Sequence, residues 1–231
     1  MHYTGFLSIK KYNSNNELAC FRVKFDEYRF VARIHSVATQ QMVCVGAVVS
    51  STSVLANGVC VKSGPIRMYL GSTLKYLIFS PRCKKGFSVD VFESIHHDGV
   101  ISKRLVLLSS YENMEECSEV IRIGSYLDRT AKVYILGRPF IVGRSLSRQH
   151  VSLVAKNFGN TGGPKHLKSN TTICVKDLTR CPVRVGDLLL QNSKLFGLAS
   201  TSVQRLRVAC FADLSFIKRE LKELDAGIDV G

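Results

Sequence analysis

A succession of strand-length apolar runs, each closed by turn-forming residues, limits the folds open to this chain more than any other feature. RFVARIHSV, MVCVGAVVSS, SVLANGVCV, IRMYLGS, KYLIFS, FSVDVFESI, RLVLLSS, AKVYILG, FIVGR, VSLVAK, TTICVKD, DLLLQ, KLFGLAST and LRVACFA follow one another along it. They are rich in β-branched residues and recur at roughly the 8–12-residue interval of an all-β sandwich or barrel. Helical periodicity emerges only at the end. In DLSFIKRELKELD, Leu214, Ile217, Leu221 and Leu224 recur every three or four residues, opposite Lys218, Arg219, Glu220, Lys222 and Glu223. Asp213 is placed to cap that helix and Gly227 to follow its last turn. A chain of 231 residues with 45% hydrophobic content can bury a substantial core. The expectation is an all-β protein of barrel type with one C-terminal α-helix.

Charge narrows the choice of partner rather than of fold. Lys and Arg number 32 against 18 Asp and Glu, a formal net charge of +14, which favours encounter with acidic proteins, nucleic acid or other polyanions. The basic residues are dispersed and not gathered with aromatics into a nucleic-acid-binding signature. No apolar run reaches the eighteen or so residues of a membrane span. The opening MHYTGFLSIKK has no apolar block of signal-peptide length, which predicts an intracellular protein, nuclear or cytoplasmic, or a secreted one if a leader has been removed.

Three stretches carry a family resemblance. MVCVGAVVSSTSVLANGVCV (42–61) resembles the segment of trypsin- and chymotrypsin-like serine proteases in which a Cys-Gly-Gly strand leads to Thr-Ala-Ala-His-Cys. SKRLVLLSS (102–110) resembles their Asp-Ile-Ala-Leu-Leu strand, and GNTGGP (159–164) resembles GDSGGP, which carries the nucleophile. The resemblance continues through LLLQNSKLFGLASTS (188–202), the strand pair after the nucleophile with Gly197 and Ser200 lining the substrate cleft, and VACFADLSFIKREL, the terminal strand and helix. It implies two six-stranded antiparallel β-barrels, an N-terminal one over residues 1–113 and a C-terminal one with the helix over 119–231. It also implies a disulfide between Cys44 and Cys60.

The same resemblance implies that the catalytic triad is lost. Val59 stands where the family has its histidine base, and an isopropyl group accepts no proton. Arg104 stands where an aspartate orients that base, and Thr161 where the nucleophilic serine would be. Thr161 could attack only if another base activated it, and His35, His96, His97, His150 and His166 lie elsewhere in the sequence. Asn160 replaces the aspartate that receives the freed amino terminus on zymogen activation, and the cleavage motif has no counterpart. Gly159, Gly162, Gly163 and Pro164 retain the turn.

The expected function is therefore that of a catalytically inactive homologue, a pseudoprotease that binds or scaffolds a protein with an acidic surface. The alternatives are nucleic-acid or polyanion binding on the same fold, and, further off, a hydrolase using Thr161. Candidate contacts are Arg82, Lys84 and Lys85 in one predicted loop, Arg138, Arg144 and Arg148 in another, and Lys165 with Lys168 after the glycine turn. The family's other cysteine positions are Asn157 and Ala131 here. Cys20, Cys83, Cys117, Cys174, Cys181 and Cys210 form no recognisable family pairs, and buried free thiols are expected for most of them. Cys174 and Cys181 lack the paired spacing of a zinc site, and adjacent His96 and His97 would point to opposite faces of a strand. No metal and no cofactor is expected.

Overall fold

A computed structural model of the protein describes residues 20–62, 64–70, 86–89, 91–96, 104–138, 145–154, 171–179, 181–203 and 207–231. Among them are fourteen strands and one α-helix. In chain order the strands are β1 (Cys20–Lys24), β2 (Val31–Ser36), β3 (Met42–Val48), β4 (Ser53–Asn57), β5 (Ile66–Tyr69), β6 (Phe87–Ser88) and β7 (Val91–His96). There follow β8 (Arg104–Ser109), β9 (Val133–Gly137), β10 (Ser145–Leu153), β11 (Thr172–Lys176), β12 (Leu188–Gln191), β13 (Lys194–Val203), β14 (Val208–Asp213) and the helix α1 (Lys218–Leu224).

The strands form two antiparallel sheets. The first runs β6-β5-β2-β3-β4-β8-β7, six strands of four or more residues with the two-residue β6 at one edge. It curls without closing among the described residues. The second runs β10-β11-β14-β13-β12-β9 and closes because β9 also pairs with β10, giving a six-stranded barrel. β1 adds to the outer side of β10, with Cys20 opposite Gln149 and Lys24 opposite Ser145. A strand from the start of the chain thus belongs to the sheet built by its second half.

Side-chain alternation explains why several strands are apolar without interruption. Successive residues of a strand face opposite ways, and here both faces of the innermost strands are covered. On β8, Leu105 and Leu107 pack in the core between the sheets, whereas Val106 and Leu108 enter the interior of the first sheet. On β12, Leu188 and Leu190 face the inter-sheet core and Leu189 the barrel interior, with Val133, Ile135, Val175 and Phe211. Runs such as RLVLL and DLLL are what strands buried on both faces require. β12 turns directly into β13 through Asn192 and Ser193, both at positive φ (48° and 58°), the conformation of a two-residue hairpin.

The end of the chain locks the halves together. Asp213 Oδ1 accepts from Ser215 N at 2.9 Å and caps a 3-10 turn, Leu214–Ile217, which leads into α1. Leu214, Ile217 and Leu221 are buried, but Leu224, expected on the same face, is exposed at the end of the helix. Beyond it, Asp225 Oδ2 accepts from Ser50 Oγ at 2.5 Å and from Ser53 Oγ at 2.7 Å, so the tail is fixed to the first sheet. Partial burial of Asp225 works against its charge, yet these hydroxyls and the Gly227 N–H hold its carboxyl below the ordinary value.

The cysteines depart from expectation. All seven among the described residues, Cys20, Cys44, Cys60, Cys117, Cys174, Cys181 and Cys210, are disulfide-bonded. Cys20 joins Cys181, Cys44 joins Cys60, and Cys174 joins Cys210. The expectation of buried free thiols is therefore overturned; Cys83 lies outside the described residues. Strand register supplies the physical reason, since Cys174 on β11 lies directly opposite Cys210 on β14, and Cys20 and Cys181 are brought together over a separation of 161 residues. Neither proximity leaves a mark in local spacing.

Candidate functional site

Where β4 ends, Asn57 Oδ1 accepts from Val59 N at 3.0 Å and starts a one-turn 3-10 helix, Gly58–Val61. The disulfide from Cys60 to Cys44 on β3 pins this turn from below, with the two Cα atoms 5.8 Å apart. Val59 stands out from the turn with 43% of its surface exposed, an apolar side chain held toward solvent by the cap on one side and the disulfide on the other. β8 runs alongside: Leu105 pairs with Asn57, and Arg104, one residue earlier, lies in register with His96 of β7. The positions that the resemblance gives to base and orienter are thus neighbours along two paired strands.

Thr161 and Asn160, with Gly159, Gly162, Gly163 and Pro164, lie outside the described residues, as do Arg82, Lys84, Lys85, Arg144, Lys165 and Lys168, and His97 and His166. Another turn meets the Val59 region. Arg184–Asp187 closes through a bond from Asp187 N to Arg184 O at 3.0 Å, with Gly186 at φ 93°. A side chain on Gly186 would begin 3.5 Å from Asn57 Cβ and 3.8 Å from Cys44 Cβ, so this turn packs directly on the cap and the disulfide beneath Val59. Sequence reading missed it. The signal available was Cys181, four residues before Val185, the spacing the resembled family keeps between a cysteine and its nucleophile.

Behind the turn lies a buried carboxylate. Asp187, 2% exposed, accepts from Arg184 N at 2.9 Å through one oxygen and from Arg138 N at 3.4 Å through the other. It rests against Gly137, where any side chain would overlap the carboxylate. Burial lifts the Asp187 carboxyl from 3.8 to about 7, against the opposing pull of the two backbone N–H groups and of the Arg138 and Arg184 guanidiniums. Arg138 in turn crosses between the sheets, with Nη1 donating to Met42 O on β3 at 3.3 Å. Burial and the neighbouring Arg184 charge both lower its affinity for its proton, and Asp187 only partly restores it.

Arg138 and Arg148 do not share a loop. Arg148 lies in the middle of β10, because Leu146 and Val151 on either side of it are buried strand positions. Its guanidinium donates to Tyr28 Oη at 3.0 Å and to His150 Nε2 at 3.2 Å, and stacks over the Tyr134 ring at 4.8 Å. It is therefore a packed structural cation and not a solvated contact. Ser200 is likewise buried, its hydroxyl donating to Cys210 O at 3.0 Å. His35 donates through Nδ1 to Gln40 O at 3.2 Å and packs on Tyr69. Among the described residues no group of three or more His, Cys, Asp or Glu side chains could hold a metal ion, and no helix is long and apolar enough to cross a membrane.

This pair of antiparallel β-sheets, with its C-terminal helix and the disulfide-pinned turn after β4, is the fold of the trypsin- and chymotrypsin-like serine proteases. No protein-family model matches the sequence, and no curated protein matches it. Solved structures do. Human heparin binding protein is 14% identical, with a TM-score of 0.69 over 93% of this chain and 99% of that one. An inactivated protease paralogue of the scabies mite is 13% identical, with a TM-score of 0.69 over 91% and 98%. The VesB protease of Vibrio cholerae is 12% identical, with a TM-score of 0.70 over 90% of this chain and 67% of its own. At these identities the likeness is one of fold.

Proposed function

We propose that this protein is a catalytically inactive homologue of the trypsin-like proteases that serves as a binding module for an acidic partner. The observation that carries the reading is Val59. The turn after β4 is built, capped and disulfide-pinned, yet it presents an isopropyl group, which neither takes nor gives a proton. Arg104 at the orienting position fits the same reading, since a cation beside a base would oppose its protonation. An inactivated protease paralogue on this fold offers a parallel. Once chemistry is gone, binding is what such a scaffold retains, and a net charge of +14 selects an acidic protein surface.

A second reading, an anionic polysaccharide or nucleic acid as partner, is favoured by one observation: a human protein of this fold bears the name heparin binding protein. The disulfides favour an oxidising compartment, and so a secreted protein, over a nuclear or cytoplasmic one. Chromatography of the intact protein on immobilised polyglutamate and on immobilised heparin tests the binding role. Retention at low salt and release by rising salt is expected on polyglutamate. Stronger retention on heparin than on polyglutamate favours the second reading, and passage through both columns at low salt overturns the binding role.

A further inference from the structure

We propose that the outer edge of β1 is a strand-addition site, where an extended segment of an acidic protein pairs antiparallel with Arg22 and sets its carboxylates against Arg22 and Lys24. The proposal rests on the reading of the protein as a binding module for an acidic partner and names the surface that the partner meets.

The open edge follows from the sheet order. β1 ends the second sheet, paired along its whole length with β10 on one side and with no other strand among the described residues. Its last residue fixes which backbone groups face outward. Lys24 is extended, and its N–H donates to Glu27 Oε1 at 3.3 Å rather than to β10. In an antiparallel pair alternate residues turn N–H and C=O to the same side. Arg22 therefore turns both of its groups to the open edge, whereas Phe21 and Val23 turn theirs to β10. Arg22 is exposed, and its backbone finds no other partner among the described residues. The disulfide from Cys20 to Cys181 ties the start of β1 to the chain ahead of β12. The edge is thus held extended before a partner arrives, which lowers the ordering cost of binding.

The side chains of β1 define the partner. Successive residues face opposite ways, so Arg22 and Lys24 stand exposed on one face, and Phe21, 46% exposed, shares the other with buried Val23. Neither Arg22 nor Lys24 forms an ion pair among the described residues. A second copy of β1 paired here through Arg22 would set two guanidiniums face to face, which is how charged edge strands avoid pairing with themselves. A segment with carboxylates at alternate positions reverses that sign, and aliphatic residues between them cover Phe21. A polysaccharide offers no alternating backbone N–H and C=O groups to a strand edge, so the edge selects a polypeptide.

The probe is a fluorescein-labelled peptide of alternating Glu and Val, titrated against the intact protein by anisotropy, beside the same peptide N-methylated at its Glu residues. In the antiparallel pairing Glu lies opposite Arg22, so methylation removes the N–H groups that face β1 and leaves every charge in place. Saturable binding of the unmodified peptide is expected, weakened about tenfold by the methylation and about tenfold by Arg22→Glu with Lys24→Glu. Arg129→Glu with Lys222→Glu, which changes the net charge equally at two other exposed positions, should leave it unchanged. Both β1 cations are exposed, so an unshifted thermal midpoint is expected and checks that the β1 variant folds. Equal binding of the methylated peptide, unchanged affinity in the β1 variant, or an equal loss in the Arg129 and Lys222 variant overturns the proposal. So does a dimer that the β1 variant dissociates, which would assign the edge to a second copy. If the proposal falls in any of these ways while polyglutamate still retains the protein, the binding role stands and β1 is not its site.

Discussion

Replacing Asp187 with asparagine is expected to remove a pH dependence of stability worth about 4 kcal/mol. The carboxyl titrates at 3.8 in the unfolded chain and at about 7 when buried behind the turn, and each pH unit of difference corresponds to about 1.4 kcal/mol. The sign follows from proton uptake. Between those values the folded protein holds a proton that the unfolded chain has lost, so the wild type loses stability as pH rises through the window and levels off above it. Asparagine has no such titration. Its Oδ1 can still accept from Arg184 N, while its amino group would face Arg138 N at a cost of about 1 kcal/mol that does not vary with pH. The measurement is urea unfolding of both proteins at about pH 4 and about pH 8, comparing how their difference changes. Convergence toward the variant's advantage at high pH is expected. Parallel behaviour of the two proteins across the window would show that Asp187 is ionised throughout, with Arg138 and Arg184 neutralising it more fully than the geometry suggests.

The second large effect concerns the bridge from Cys20 to Cys181. A cross-link stabilises mainly by restricting the unfolded chain, more so for longer loops. With 161 residues between its ends, against 16 for Cys44–Cys60, its removal by paired Cys→Ser substitution is expected to cost about 4–5 kcal/mol, compared with about 3 kcal/mol for the shorter one. The bridge also ties β1 to the loop three residues before Arg184, so its loss should loosen the turn that faces Val59. Guanidinium unfolding of the two double variants gives the ranking. If the Cys44–Cys60 variant is the less stable, the pinned turn after β4 matters more to the fold than the long cross-link does.

How much of this was legible in the sequence depended on range. The strands were readable because each needs only its own apolar run, and α1 because Leu214, Ile217 and Leu221 repeat at helical spacing. The Val59 turn was readable for the same reason: Asn57, Val59 and Cys60 are contiguous, and Cys44 lies one hairpin away. Arg148 was misplaced because a lone arginine between Ser147 and Gln149 looks like a loop until Tyr28, more than a hundred residues distant, is seen to receive it. The disulfides Cys20–Cys181 and Cys174–Cys210 were illegible for a like cause, since pairing across strands depends on topology and not on spacing. A glycine-rich phrase such as GNTGGP is read from its letters alone, whereas the place of a turn in a cleft is set by the strands before and after it.

The central claim is that the protein performs no peptide hydrolysis. Loss of one triad member leaves roughly 10³–10⁴ over water from the oxyanion hole and binding, and here no base stands on the turn after β4. The most direct measurement is incubation of the pure protein with a fluorophosphonate probe and a panel of fluorogenic peptides, with trypsin alongside. No labelling and no turnover above the uncatalysed rate are predicted. Labelling at Thr161, or at any other hydroxyl of the chain, together with turnover that the labelling abolishes, would contradict the account.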